Sequence, residues 1–293
     1  MDVMVSVVVP VYNGAATIEA CLQALRGQSL SEPYEVIVVD DGSTDATPEL
    51  VQRVAGVRWI RQRNAGAPAA RNRGVAEARG EWIAFTDADC IPSRTWLARL
   101  VAAARKTPDA IGAAGRTTGH NSVTPAARFV DLMGGLDPEQ SLAHPTFPWA
   151  PSANLMYRRA YLDAAGGYDT RYATFDACDL HTRLRSMFAG EFYYEPSALV
   201  LHRHRASWKA YWRQQFSYGI GYAQFMLRHR GVAQWRVGAE LREIGTIVRA
   251  GLRALLPAKD DEGVVRRGLL LRHAAQHAGF IRTYYNPRER ARW

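Results

Sequence analysis

The chain has 293 residues, 47% of them hydrophobic, which is enough for one large domain or a domain with an appendage. No window approaches the roughly 20 uninterrupted apolar residues of a membrane-spanning helix. The three cysteines, Cys21, Cys90 and Cys178, form no metal-binding spacing and point to a reduced, cytoplasmic setting.

The N-terminus, MDVMVSVVVPVYNG, lacks a basic flank and reads as a buried strand, not a signal peptide. Apolar runs then alternate with helical patterns. VSVVVPVY (5–12), YEVIVVDD (34–41), VRWIRQ (57–62) and EWIAFTDAD (81–89) read as strands, with ATIEACLQALRGQ (16–28), TPELVQRVAG (47–56) and GAPAARNRGVAEARG (66–80) as the helices between them. Strand–helix alternation predicts a parallel, doubly wound α/β sheet. Unbroken Val and Ile suit strands covered on both faces. Residues 112–150, rich in Gly, Thr, Pro and His, read as an irregular loop of the kind that carries function. FYYEPSALVLHRHR (192–205) reads as a further strand, and 207–230 and 238–256 as amphipathic, Arg-studded helices.

Acids gather where two strands end. Asp40 and Asp41 close VIVVDD, and Asp87 and Asp89 close WIAFTDAD. Ligands of open α/β sheets bind at those carboxyl ends. A carboxylate there accepts from ribose hydroxyls or a base N–H, and an Asp-x-Asp can hold a hard divalent cation that neutralises a diphosphate. Either pair alone fits capping of the next helix equally well. Both together favour a ligand site.

In this order, VSVVVPVYNG, VIVVDDGSTD, NAGAPAARNRG and GEWIAFTDAD resemble the nucleotide-sugar-binding half of family 2 glycosyltransferases, the group with the GT-A fold. A weaker resemblance continues through SANLMYRRAYLDAAGGYD and FDACDLHTRL to VLHRH, which ends at residue 204. It implies a mostly parallel, Rossmann-like sheet flanked by helices in residues 1–204, divided into a nucleotide-sugar half (1–105) and an acceptor and catalytic half (106–204). Residues 205–293 would form a basic helical region. By position, Pro10, Tyr12, Asp40 and Asp41 would surround the nucleoside of a donor, with UDP as the first choice. Arg71 and Asn72 would sit near base and phosphate, and Asp87 would face the ribose. Asp89 would ligate Mn²⁺ or Mg²⁺, and His202 would complete the metal or diphosphate site, a role that suits a neutral imidazole. A solvated histidine in a basic turn is the alternative for His202, and His204 is its rival.

Inverting transfer needs a base to take the proton of the acceptor hydroxyl. Relatives commonly carry Glu-Asp-x-Asp-Leu followed by Arg-Leu, with the Asp of the Glu-Asp step as base. Aligning on Asp179-Leu180 and Arg183-Leu184 puts Asp176 at the Glu and Ala177 at the base position. Asp176, beside that vacancy, is the first choice, and Asp179, one turn on, the reserve. Helix capping is the alternative for both.

Charge is unevenly distributed. Residues 1–201 hold 19 Lys and Arg against 22 Asp and Glu, whereas 202–293 hold 18 against 6. The basic third predicts an anionic surface partner. It carries no nucleic-acid-binding motif, and its arginines mix with apolar helical faces: Trp208, Trp212, Phe216 and Tyr222 beside Lys209 and Arg213, then Ile244, Ile247, Val248, Leu252 and Leu255 beside Arg249 and Arg253. A peripheral position on an anionic inner membrane face, serving a lipid-linked or cell-surface glycan acceptor, is the expectation. Packing on the α/β body or in a homodimer is the alternative. A dinucleotide oxidoreductase is disfavoured, since no G-x-G-x-x-G follows the first strand. A homologue that binds sugar nucleotide without turnover remains a rival because of Ala177.

Overall fold

Val5, Val7, Val9 and Val11 of the first strand, β1 (Val5–Val11), lie in one core with Ile18, Leu22, Trp96 and Leu97. Val8 points into a second core with Ile37, Val39, Phe85 and Tyr157. The period-two alternation of a strand thus buries a continuous valine run on both faces of one sheet. The computed structural model describes residues 3–144, 147–230, 237–254 and 260–293. Met1, Leu255 and the end of the expected 238–256 helix lie outside the described residues.

Strands β2 (Tyr34–Asp40), β3 (Val57–Arg61) and β4 (Trp82–Phe85) join β1 in parallel pairing. Helices α1 (Ile18–Arg26), α2 (Thr47–Gln52) and α3 (Ala67–Glu77) alternate with them, as the sequence pattern predicts. β5 (Cys90–Pro92), β6 (Gly112–Gly119), β7 (Leu155–Arg158) and β8 (Phe192–His202) complete the sheet. These pair antiparallel: β7 with β4, β6 with β7, and β5 with β8. Among the described residues the order is β3-β2-β1-β4-β7-β6-β8-β5.

Residues 112–150 are not irregular throughout. They contain β6 and the helices α5 (Pro125–Leu132) and α6 (Glu139–Leu142). The sequence GAAGRTTG of β6 hides its strand character because its small residues are a packing requirement. A Cβ on Gly112 would strike the Met156 carbonyl, and one on Gly115 the Ala198 carbonyl.

The chain divides into two compact units. The first comprises residues up to Thr118, Leu136–Arg171 and Asp176–His202. Besides the sheet it holds α4 (Trp96–Ala104), α7 (Arg159–Ala164) and α8 (Asp176–Met187). The second comprises Gly119–Gly135, Tyr172–Phe175 and Arg203–Trp293, so it takes in two segments from within 106–204. It is helical: α5, α9 (Trp208–Arg228), α10 (Val237–Ala254), α11 (Asp260–Tyr284) and α12 (Pro287–Arg292). Gly219 and Gly279 bring α9 and α11 close, since a Cβ on either would meet the Gln276 or Phe216 carbonyl of the facing helix. Two of the expected lipid-facing aromatics of α9, Trp208 and Tyr222, pack within this unit. Trp208 packs on Phe129 and Tyr211, and Tyr222 on Phe175 and Phe280. No described helix is long and apolar enough to cross a membrane.

Candidate active site

The site lies in the first unit, where β1, β2 and β4 end. Pro10 is buried within β1, and Tyr12, just past its end, is 54% exposed. Asp40 ends β2 fully buried. One of its oxygens accepts from the Ser43 amide at 2.8 Å, while Oδ2 has no hydrogen-bond partner and lies 3.6 Å from the Arg61 guanidinium. Asp41 is an internal brace. It accepts from the Gln62 side chain at 2.8 Å, the Ala65 amide at 2.9 Å and the Gly66 amide at 2.8 Å. That holds the entrance to α3, where Gly66 adopts φ 92° and Pro68 follows in the first turn.

Helix α3 presses closely on β1, because Gly74 sits against Val8 with no room for a side chain. The approach sets Arg71 between two acids. Its guanidinium donates to Asp87 at 2.9 Å and to Asp176 at 2.9 Å. The Tyr168 ring lies 5.6 Å from the guanidinium carbon. The neighbouring Asn72 works structurally: its amide donates to the Tyr168 carbonyl at 2.7 Å and accepts from the Tyr168 amide at 2.8 Å. Gly167, at φ 69°, leaves space for that contact.

Asp176 and Asp179 both lie in the first turn of α8 and have different surroundings. Asp176 is buried against Arg71. Burial pushes its carboxyl above the usual carboxylate range, and the Arg71 charge pulls the other way. Asp179 is fully buried and accepts from Arg183 at 2.8 Å. The same guanidinium donates to the carbonyls of Ala165 and Gly167, tying α8 to the turn before it. Asp179 is therefore engaged in holding the fold, whereas Asp176 joins the Arg71 cluster.

Asp87 and Asp89 follow β4. The next strand, β5, pairs Cys90 with His202 of β8, so residues far apart in sequence meet by register. His202 Nε2 lies 3.5 Å from Asp89 Oδ1. Ligand atoms of Asp89, Cys90 and His202 all lie within 4.8 Å of one another. A carboxylate and an imidazole at this separation fit a divalent cation. His204, the rival, instead lies in the second unit, 3.1 Å from Asp131. The motifs single out neither Tyr168 nor Cys90. Cys90 joins the cluster through the ladder, which no cysteine spacing encodes.

Residues 6–166 match the family described as Glycosyl transferase family 2. The chain is similar to glycosyltransferase AglE of Haloferax volcanii, 32% identical over 193 residues, covering 64% of this chain and 62% of that relative. It is likewise similar to the pre-mycofactocin glycosyltransferase of Mycobacterium tuberculosis, 32% identical over 232 residues, covering 77% of this chain and 48% of the relative. It thus spans less than two thirds of the length of either curated relative. Among solved structures, mannosyltransferase PcManGT from Pyrobaculum calidifontis, in complex with GDP-Man and Mn²⁺, is similar with a TM-score of 0.66 and 19% identity, over 98% of this chain and 88% of that one. That likeness gives the fold, and the family match extends over more than half of the residues: the chain has the GT-A fold and belongs to glycosyl transferase family 2.

Proposed function

We propose that this chain transfers a sugar from a nucleotide-sugar donor to an acceptor hydroxyl, with inversion at the anomeric carbon. The observation that carries the reading is the pair of links at the strand ends: Asp89 against His202, and Arg71 joining Asp87 to Asp176. Asp89 and His202 would hold Mn²⁺ or Mg²⁺, with Cys90 at the edge of the set. Bound there, the cation supplies positive charge to the diphosphate of the donor. The structurally similar mannosyltransferase solved with GDP-Man and Mn²⁺ supports a divalent cation beside the donor diphosphate.

Around the nucleoside, Tyr12 would meet the base from the exposed side, Asp40 would offer the oxygen that accepts no hydrogen bond, Pro10 and Asp41 would form the wall behind them, and Asp87 would take the ribose hydroxyls. UDP is the first choice of nucleotide. Asp176 is the base. Its carboxylate accepts the hydroxyl proton as the acceptor oxygen forms a bond to the anomeric carbon, and the nucleoside diphosphate leaves with the electrons of the broken bond. Arg71 pulls that carboxylate toward its ionised form against the larger upward push of burial, and Asn72 and Asp179 fix the surrounding turns. The acceptor class is a glycan or a lipid-linked sugar, met on the cytoplasmic face of a membrane.

Ala177, buried at the usual base position, supports a second reading, in which sugar nucleotide is bound without turnover. One experiment separates the two. The full chain is mixed with a panel of UDP-, GDP- and dTDP-sugars, with and without Mn²⁺, and both Tm and nucleoside diphosphate release are followed. A donor at 100 times its Kd adds about 2.7 kcal/mol of stability. A Mn²⁺-dependent Tm rise with release supports transfer, and a rise without release supports the binding protein. No rise with any donor overturns both.

A further inference from the structure

Helix α10 of the second unit exposes large aliphatic side chains in a pattern. Leu241 is 65% exposed, Ile244 44%, Val248 55% and Leu252 62%. At about 100° per residue these four fall within an arc of about 80° on the helix. Arg242, Arg249 and Arg253 are also exposed and occupy an adjoining arc of about 40°. The acid between them, Glu243, faces away from both. Its carboxylate lies 2.9 Å from His273 of α11, and that contact holds it below the usual carboxylate range. Among its described side chains, then, α10 presents toward solvent an aliphatic stripe edged along one side by a row of cations.

We propose that this face of α10 is an interfacial helix that docks the chain on an anionic lipid surface. An aliphatic stripe with arginines along one side matches the boundary between acyl chains and acidic headgroups, where the stripe inserts and the guanidinium groups meet phosphate. Charge favours lipid over a second copy of the chain. A copy would offer the same arginines to the row, while a membrane offers anions. The basic bias of residues 202–293, 18 Lys and Arg against 6 Asp and Glu, acts in the same direction. The expected lipid-facing aromatics of α9 are half-buried inside the unit, so α10 provides the surface by itself.

The test uses the full chain and needs no donor sugar, so its outcome is independent of the proposed transfer. Sedimentation is measured with vesicles of phosphatidylcholine alone and with about 30% phosphatidylglycerol, at low salt and at high salt. Binding should require the anionic lipid and fall as salt rises. Replacing Arg242, Arg249 and Arg253 together by Gln should weaken it by roughly 100-fold. Ile244→Asp with Val248→Asp should abolish it. All five side chains are exposed or at the surface, and an unchanged Tm establishes that the variants fold. No binding to anionic vesicles at low salt overturns the proposal, as does binding that both variants leave intact. A dimer in light scattering that the Ile244→Asp, Val248→Asp variant dissolves, without vesicle binding by the parent, assigns the face to a second copy instead.

Discussion

Arg71 and Asp176 are 105 positions apart in sequence and share a buried ion pair of 2.9 Å. The same guanidinium reaches Asp87, so an acid after β4 and an acid at the start of α8 are held by one cation. The proposed ribose contact and the proposed base are thereby coupled through a single side chain.

The first expectation follows from the different surroundings of the two acids of α8. Asp176→Asn should lower kcat by about 10²–10⁴-fold, with nucleotide affinity changed only a few-fold. Because the buried Arg71 keeps Asp87 as its second partner, neutralising Asp176 should lower Tm by less than the loss of Asp179 does. Asp179→Asn should do the reverse: it leaves Arg183 without its buried partner and costs about 3–5 kcal/mol. Calorimetry and initial rates on the two variants decide the assignment. A large rate defect confined to the Asp179 variant would pass the role of base to that residue.

Arg71 offers a test in pH. Its charge opposes the upward push of burial on the Asp176 carboxyl. Arg71→Met should therefore raise the pH at which Asp176 ionises, moving the acidic limb of the kcat profile upward. Arg71→Lys should leave the limb nearer its original place. An acidic limb that stays put in the Met variant would show that Asp176 is not the titrating base.

Cation binding can be read without turnover. Titration of Mn²⁺ by electron paramagnetic resonance should give a bound fraction that Asp89→Asn and His202→Ala each reduce by at least tenfold in affinity, at or above the roughly 10–100-fold typical of even the supporting shell. His204→Ala, whose imidazole faces Asp131, should leave it unchanged. Equal Mn²⁺ affinity in all three variants would remove the proposed ligand set.

His181 predicts an acid sensitivity unrelated to catalysis. Its ring is buried edge-on against Phe192, with Nδ1 3.3 Å from the Tyr157 hydroxyl and Nε2 lacking a hydrogen-bond partner. Burial, with Arg185 adding a smaller push, lowers its pKa from 6.5 to about 3. The unfolded chain takes up a proton near pH 6.5 that the folded chain refuses until about pH 3. Stability should therefore fall as pH drops through that window, by up to about 1.4 kcal/mol per pH unit from this group. His181→Leu should flatten the slope in urea unfolding measured from pH 7 to pH 4. An identical slope in the two proteins would refute the contribution.

The N-terminal α/β half was legible because its signals are local. A valine run, the acid at its end and the helix after it all lie within one βα unit. The acids Asp40, Asp41, Asp87 and Asp89 were found for that reason. Local pattern could not distinguish their duties. Asp41 and Asn72 hydrogen-bond mainly to backbone, which follows from where Ala65, Gly66 and Tyr168 come to lie. β6 is hidden in the sequence because close neighbours select Gly and Ala where strand propensity calls for branched residues. The inward turn of the α9 aromatics depends on the glycines that bring α11 against it. Amphipathicity alone marks an apolar face without saying what covers it.

The three-residue strand β5 has a consequence for how this site tolerates change. Asp89 and His202 are set opposite each other by the Cys90–His202 step of a ladder, not by the length of chain between them. Changes of loop length between residues 93 and 191 therefore need not separate these two groups, so long as β6, β7 and the helix α8 that carries Asp176 keep their places. A single-residue shift of β8 against β5 would instead turn the imidazole to the other side of the sheet. The Asp89–His202 pair is thus tolerant of change in the connecting loops and intolerant of a slip of one position in the pairing that registers it.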